Sequence, residues 1–568
     1  MQPAASTRLL TVIAQDPSVL DAQGRILTAR IAVPAEKLRP GPWGHRMQVI
    51  DYDVSTETLY APRRRGLDGD VYTDRRPGAR GLIGDPRFHA QNVYAIAMNV
   101  LARFEFALGR RVAWGFESGG HQLKLVPHAF AEANAFYSRR DEAILFGYFP
   151  SRRRGNGSVF TCLSYDVVAH ETTHALLDGL RKRYIEPSSA DQSGFHEGFA
   201  DVIALLAAFR MPEVVRNALP GKHGRLRADQ VKAEALKDST LLGLAEQLGD
   251  ELEPVRGNPL RRSASLDPKK VDLESEEYQE PHRRGEVFVA AMMNAFIDIW
   301  VRRLEPLLAA GRVDRERAVE EGRKAADHLL TMAIRALDFA PPVDLEFGDY
   351  LSALLTGDRE VVPEKDDRYG YREAIVAAFK SFEIEPSSPH PDGFWGAPLF
   401  DPSRQNCHFE ALQRDPDEVF RFVWENRDGL KLHPEAYTYV QSVRPSHRIG
   451  PDGAPLRETV AEYVQILTLE ARELRRLDLR KPKGMPDDHE LRLYGGGALI
   501  FGEFGQLKFH IGNGVQSLSP KGRKRQSKRL DYLWEHGALR AREARARRFA
   551  LLHRDRALAS SADVREAW

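Results

Sequence analysis

The stretch Asp166-Val-Val-Ala-His170-Glu171-Thr-Thr-His174-Ala-Leu-Leu-Asp178 restricts what this chain can be more than any other part of it. On a helix, residues i and i+4 share a face, so His170 and His174 can each aim one imidazole nitrogen at a single ion. Glu171 stands one step round the helix, where it can reach a water held by that ion without being a ligand itself. Val167, Val168, Ala175, Leu176, Leu177 and Leu180 recur at near-helical spacing, and neither Pro nor Gly interrupts the run before Gly179. A helix is therefore predicted here, carrying the H-E-x-x-H pattern of zinc ligation with a carboxylate base.

Catalytic zinc takes three protein ligands and keeps one position open. The segment Gly194-Phe-His-Glu197-Gly-Phe-Ala-Asp201 supplies a carboxylate and, one turn later, a second on the same face. Glu197 is the candidate third ligand, and Asp201 the candidate acceptor for the outer ring N–H of a ligand histidine. His196 is a competing third ligand, although it adjoins Glu197 and would face a different way.

With these residues in view the chain resembles the thermolysin-like family of zinc metallopeptidases, gluzincins with H-E-x-x-H and a downstream Glu ligand. The family's second zinc helix is matched by G-F-H-E-G-F-A-D, with His196 in the usual Asn place. Asn134-Ala135-Phe136-Tyr137 resembles the family's N-A-F-W edge strand, whose backbone pairs with an extended peptide, and this implies that Asn134 and Ala135 bind substrate. Pro281-His282-Arg-Arg-Gly285-Glu-Val-Phe resembles the segment bringing in the histidine that stabilises the tetrahedral intermediate, which implies that role for His282. By the same resemblance Tyr184, after a one-residue shift, is a second donor to the oxyanion, and Arg262, ahead of its neighbour Arg261, holds the substrate carbonyl. Glu277 or Glu280 is placed to orient His282, although each by itself reads as a surface carboxylate.

The resemblance runs from about residue 85 to about residue 384. It implies an α+β fold: a two-lobed thermolysin-like metallopeptidase domain with a β-rich N-lobe, an α-helical C-lobe and zinc between them. The activity it implies is hydrolysis of internal peptide bonds by a metal-activated water, with Glu171 as general base and one catalytic Zn²⁺. No G-x-M-E-N segment of the gluzincin aminopeptidases is present, and Phe160 and Val167 resemble the lining of a pocket for an apolar side chain after the scissile bond. Asp166 matches a calcium ligand of secreted relatives, but Ala208 stands where a partner carboxylate belongs. Calcium needs six or more oxygens, so it is not expected at that paired site, and Asp166 is left as a cap or hydrogen-bond acceptor.

The chain divides into a β-rich N-terminal segment (1–75), the metallopeptidase domain (76–385), a C-terminal mixed α/β region of unknown role (386–520) after a Pro-rich linker, and a basic helical tail (521–568). A length of 568 residues, 42% of them hydrophobic, suits two or three domains. His89, on a long helix predicted from Phe88, reads as a core histidine. Two cysteines, Cys162 and Cys407, exclude a disulfide framework. No apolar run at the start is long enough for a signal-peptide core and no later one approaches a membrane span, so a cytoplasmic protein with no membrane contact is expected, export without a cleavable signal left open.

From Lys521 to Arg556 thirteen Lys or Arg stand against four Asp or Glu, a net +9 that leaves −8 for the rest of a chain whose total is +1. Such asymmetry suits nucleic acid, but no stacking aromatics interleave the charges; docking on the acidic remainder of the same chain is equally consistent. A second class of function, a metallopeptidase-fold scaffold or interaction protein with little turnover, has no need of Glu171.

Overall fold

Strands gather toward the two ends of the chain and helices in its middle, giving an α+β fold. The computed structural model describes residues 6–539 apart from residues 22, 65–68, 74–80, 152–156, 187, 222–223, 238–262, 264–265, 309–310, 363–366, 404–406 and 451–452. Strands β1 (Thr7–Ile13) and β2 (Thr28–Pro34) pair antiparallel, with Leu10 opposite Ile31. The next strand, β3 (Met47–Val49), joins a five-stranded sheet, running parallel to β6 (Leu123–Phe130), while β4 (Tyr52–Asp53) and β5 (Thr58–Leu59) form a small ribbon beside it. That sheet has the order β3-β6-β8-β7, with β8 at Ala143–Pro150, β7 at Ala135–Ser138, and β9 (Ser158–Phe160) paired to the far end of β8. Among the described residues β7 is thus an end strand, paired along one side only.

Helix α1 (Pro86–Leu108) packs against this sheet, begun by Asp85, whose side chain accepts from the Arg87 N–H, and by Pro86 in its first turn. Then come α2 (Tyr165–Leu180), α3 (Ala190–Phe209), α4 (Pro281–Leu304), α5 (Arg315–Ala336), α6 (Phe347–Arg359) and α7 (Tyr371–Ser381). The crossing of α3 with α4 positions the site. Glycines meet there: a Cβ at Gly198 would stand 2.8 Å from the Gly285 carbonyl oxygen, and one at Gly285 would stand 2.9 Å from that of Gly194. Only bare backbone fits, and the close approach sets Glu197 of α3 beside the first turn of α4.

After a short strand pair, β10 (Arg225–Arg227) with β11 (Arg312–Asp314), the C-terminal part builds a four-stranded antiparallel sheet. It consists of β12 (Tyr437–Ile449), β13 (Pro455–Glu470), β14 (Glu490–Phe501) and β15 (Leu507–Asn513), in that order. β13 is buried without alternation from Glu458 to Gln465 because both faces of the sheet are covered. Val460, Ile500, Phe509 and Ile511 continue the apolar core of the helical region, whereas Ala461, Tyr463 and Leu499 pack with Phe422 of helix α8 (Pro416–Glu425).

Charges buried at the seam fasten the same sheet. Glu462 meets Arg181 and Arg444, and Asp338 meets Arg110 at 2.6 Å and Arg448. The described part of the basic tail forms helix α9 (Pro520–Glu535), capped by Ser519. Three of its cations lie on acids of the same chain: Arg529 on Asp344 at 2.6 Å, Arg525 on Glu346, and Lys528 on Glu274 at 2.5 Å. Among the described residues no helix is long and apolar enough to cross a membrane.

Candidate metal centre

Ser164 ends the preceding 3₁₀ turn in extended backbone, and α2 begins after it with Asp166 in the first turn, where the exposed N–H groups favour a negative charge. The Ser164 hydroxyl donates to the Asp166 carboxylate. One turn on, the rings of His170 and His174 stand perpendicular with centroids 4.4 Å apart, and their Nε2 atoms approach to 2.8 Å. Glu197 of α3 faces both, with one carboxylate oxygen 3.7 Å from His170 Nε2 and the other 3.7 Å from His174 Nε2. Ligands at zinc bond lengths on a tetrahedron lie about 3.3 Å apart. The three measured separations bracket that edge, so these side chains fit a small ion of zinc's preference.

Asp201, one turn beyond Glu197, places Oδ1 2.8 Å from His170 Nδ1. A carboxylate only accepts, so Nδ1 carries the proton and the Nε2 lone pair is turned to the cluster. His196 stacks on His174 at 4.4 Å with only 6° between the planes. Ligating atoms of His174, His196 and Glu197 also lie within 4.8 Å of one another, but lone pairs lie in the ring plane, so two parallel stacked rings converge on one ion less readily than the perpendicular pair does. The geometry favours Glu197 over His196 as third ligand.

Glu171 is buried, and its carboxylate accepts the Tyr137 main-chain N–H at 3.0 Å. That N–H belongs to end strand β7, so the acid sits between the cluster and the unpaired side of the sheet. Two turns further along α2, Asp178 accepts the Tyr137 hydroxyl at 2.8 Å and Arg139 Nε at 2.7 Å. The strand is therefore strapped to the helix at two points, and sequence reasoning missed this. The visible signal was the spacing of Glu171 and Asp178, seven apart on one helix face. Ala135 lies in the same strand and Asn134 just before it, both buried; Asn134 spends its main-chain carbonyl on the Gly147 N–H at 2.8 Å.

His282, in the first turn of α4, sets Nε2 3.6 Å from a Glu197 oxygen and Nδ1 2.6 Å from Glu280. Glu280 is more than a surface carboxylate, because its side chain also caps α4 by accepting the Arg283 N–H. Burial acts to raise its pKa, but His282 and the N–H groups of Arg283 and His282 outweigh that and hold it at about 2. Glu277 pairs instead with Arg283 at 3.2 Å.

Tyr184 is not brought to this cluster. The turn that follows α2 sends its ring into the core against Phe195, and its hydroxyl donates to the Pro341 carbonyl at 2.7 Å. Its proton is thus committed to the main chain, which corrects its expected part as an oxyanion donor. Arg262 and Arg261 lie outside the described residues. Phe160 packs on the rings of His89 and His128, and Val167 is in the core. No protein-family model matches the chain, and no curated protein matches it.

Proposed function

We propose that the chain is a zinc-dependent metalloendopeptidase of two-lobed, thermolysin-like build, in which His170, His174 and Glu197 hold the ion. The observation that carries this reading is the convergence of those three donors with Glu171 lodged between them and an unpaired strand edge. A bound zinc ion supplies Lewis-acid polarisation and lowers the pKa of water.

The rest is the work of this chain's own side chains. Strand β7 offers its unpaired side to an extended peptide, which positions an internal bond in front of the cluster. Glu171, steadied by the Tyr137 N–H, takes the proton of the attacking water and returns it to the leaving amine. His282, anchored through Nδ1 to Glu280, turns Nε2 toward the oxygen on which charge develops. Asp201 keeps His170 in the tautomer that presents Nε2 to the ion. The substrate class is a peptide or protein. Neither calcium nor a nucleic-acid ligand is part of this proposal; of the cations of α9, Arg525, Lys528 and Arg529 are engaged by the chain's own carboxylates.

Removal of the ion tests the reading. Chelator-treated protein should lose cleavage of an unstructured protein substrate and regain it on addition of Zn²⁺; cleavage that persists in metal-free protein would contradict it.

A further inference from the structure

A second cluster of ligating side chains lies outside the site just described. His89 comes from α1, His128 from β6, and Cys162 from the 3₁₀ turn that leads into α2. All three are buried, and one ligating atom of each lies within 4.8 Å of the other two. His89 Nδ1 and His128 Nε2 face each other at 2.8 Å. Each ring is fixed from outside: His89 Nε2 is 2.7 Å from the Ile83 carbonyl, and His128 Nδ1 is 2.7 Å from Asp51 Oδ1.

Those outer contacts determine the tautomers. A carbonyl and a carboxylate can only accept, so the outer nitrogens carry protons. When both rings are neutral, two lone pairs then confront each other at 2.8 Å in a dry interior, and something positive must lie between or beside them. A shared proton on His128, balanced by Asp51, is one answer; a metal ion is the other. Burial together with the adjacent His128 pushes the His89 pKa down to about 3, and burial pushes the Cys162 thiol up. A divalent ion bound by the Cys162 thiolate beside the Asp51 carboxylate would leave the cluster with no net charge.

We propose that His89, His128 and Cys162 supply three donors of a second zinc site, with Asp51 orienting His128 as Asp201 orients His170. Imidazole and thiolate are both zinc donors, and these three leave one tetrahedral position to a small ligand such as water. Binding releases the thiol proton to solvent and leaves the sulfur as thiolate. Asp51, with Tyr60, Pro86 and Arg87, also lines a cavity of about 300 Å³ beside the cluster. The site ties α1 and β6 to the turn from which the catalytic helix starts, so its work is to hold α2 in place rather than to react.

The thiolate provides a readout independent of turnover. Full-length protein loaded with Co²⁺ should show a sulfur-to-cobalt charge-transfer band in the near ultraviolet. The band should persist in His174→Ala and in Cys407→Ser and vanish in Cys162→Ser. Zinc analysis should give two ions per chain in the wild type and one in each of His174→Ala and Cys162→Ser. Absence of the band from the wild-type protein, with equal metal content in wild type and Cys162→Ser, would overturn the proposal and leave a proton on His128 as the bridge. Because the band is read on unaltered Cys162, a misfolded variant cannot rescue the proposal. Failure of the peptidase reading would appear separately, as unchanged metal content in His174→Ala.

Discussion

Between His170 and His174, two ring nitrogens stand 2.8 Å apart, with an aspartate on the outer nitrogen of one ring at 2.8 Å. Between His89 and His128 the same arrangement recurs, again at 2.8 Å, with Asp51 at 2.7 Å on the outer nitrogen of His128. The surroundings differ. The first pair faces Glu197, His282 and a glutamate at a strand edge, whereas the second faces a buried thiol and the rings of Tyr60 and Phe160. A similar donor contact is thus set once beside further carboxylates and a third histidine and once inside a packed core. On the proposed function, reactivity comes from what surrounds the donors.

That contrast can be broken by experiment. His282→Ala should lower kcat by about 10²–10³-fold with zinc content unchanged, as expected for loss of a donor to developing charge. If activity survives, the first cluster is no more equipped for chemistry than the second. The two aspartates sharpen the comparison next. Asp201→Asn should weaken zinc binding about 10–100-fold at the His170 site alone, and Asp51→Asn should do the same at the His89 site alone, read by competition with a chelator. Cross-talk between them would mean that the two clusters are not separate sites.

Acid should also act on a third buried group. Burial acts to raise the Asp338 pKa, but Arg110, Arg448 and Arg181 hold it well below the usual carboxylate range. A depressed carboxylate contributes stability that is present above its unfolded value near pH 4 and lost as pH falls below it. The thermal midpoint should therefore drop below about pH 4, and Asp338→Asn should flatten that limb. The smallest effect is expected from Tyr184→Phe: about 1 kcal/mol of stability through the lost bond to Pro341, with kcat unchanged. A large fall in kcat would return Tyr184 to the site.

What could be read in the sequence depended on how far apart the contributing residues lie. His170, Glu171 and His174 share one helix, and Glu197 and Asp201 share another, so periodicity alone puts each group on a face. The α3–α4 crossing that joins Glu197 to His282 was invisible as such, because it rests on Gly194, Gly198 and Gly285 meeting across elements. Tyr184 misled because the resemblance supplied a position along the chain, whereas the turn after α2 decides where the ring goes. His89 read as a core residue and is buried, but its contact with His128 was not legible because that partner lies 39 positions further along, on a strand. The basic tail showed its charge and not its destination. Only the fold sets Arg529 against Asp344 and Lys528 against Glu274.

The most direct measurement is mapping by mass spectrometry of the cleavage of a mixed peptide library, with wild-type protein and Glu171→Gln side by side and zinc determined in both. The account predicts internal cuts by the wild type and a loss of about 10²–10⁴-fold in the variant at equal zinc content. Equal zinc with equal activity, or no cleavage by either, would contradict it.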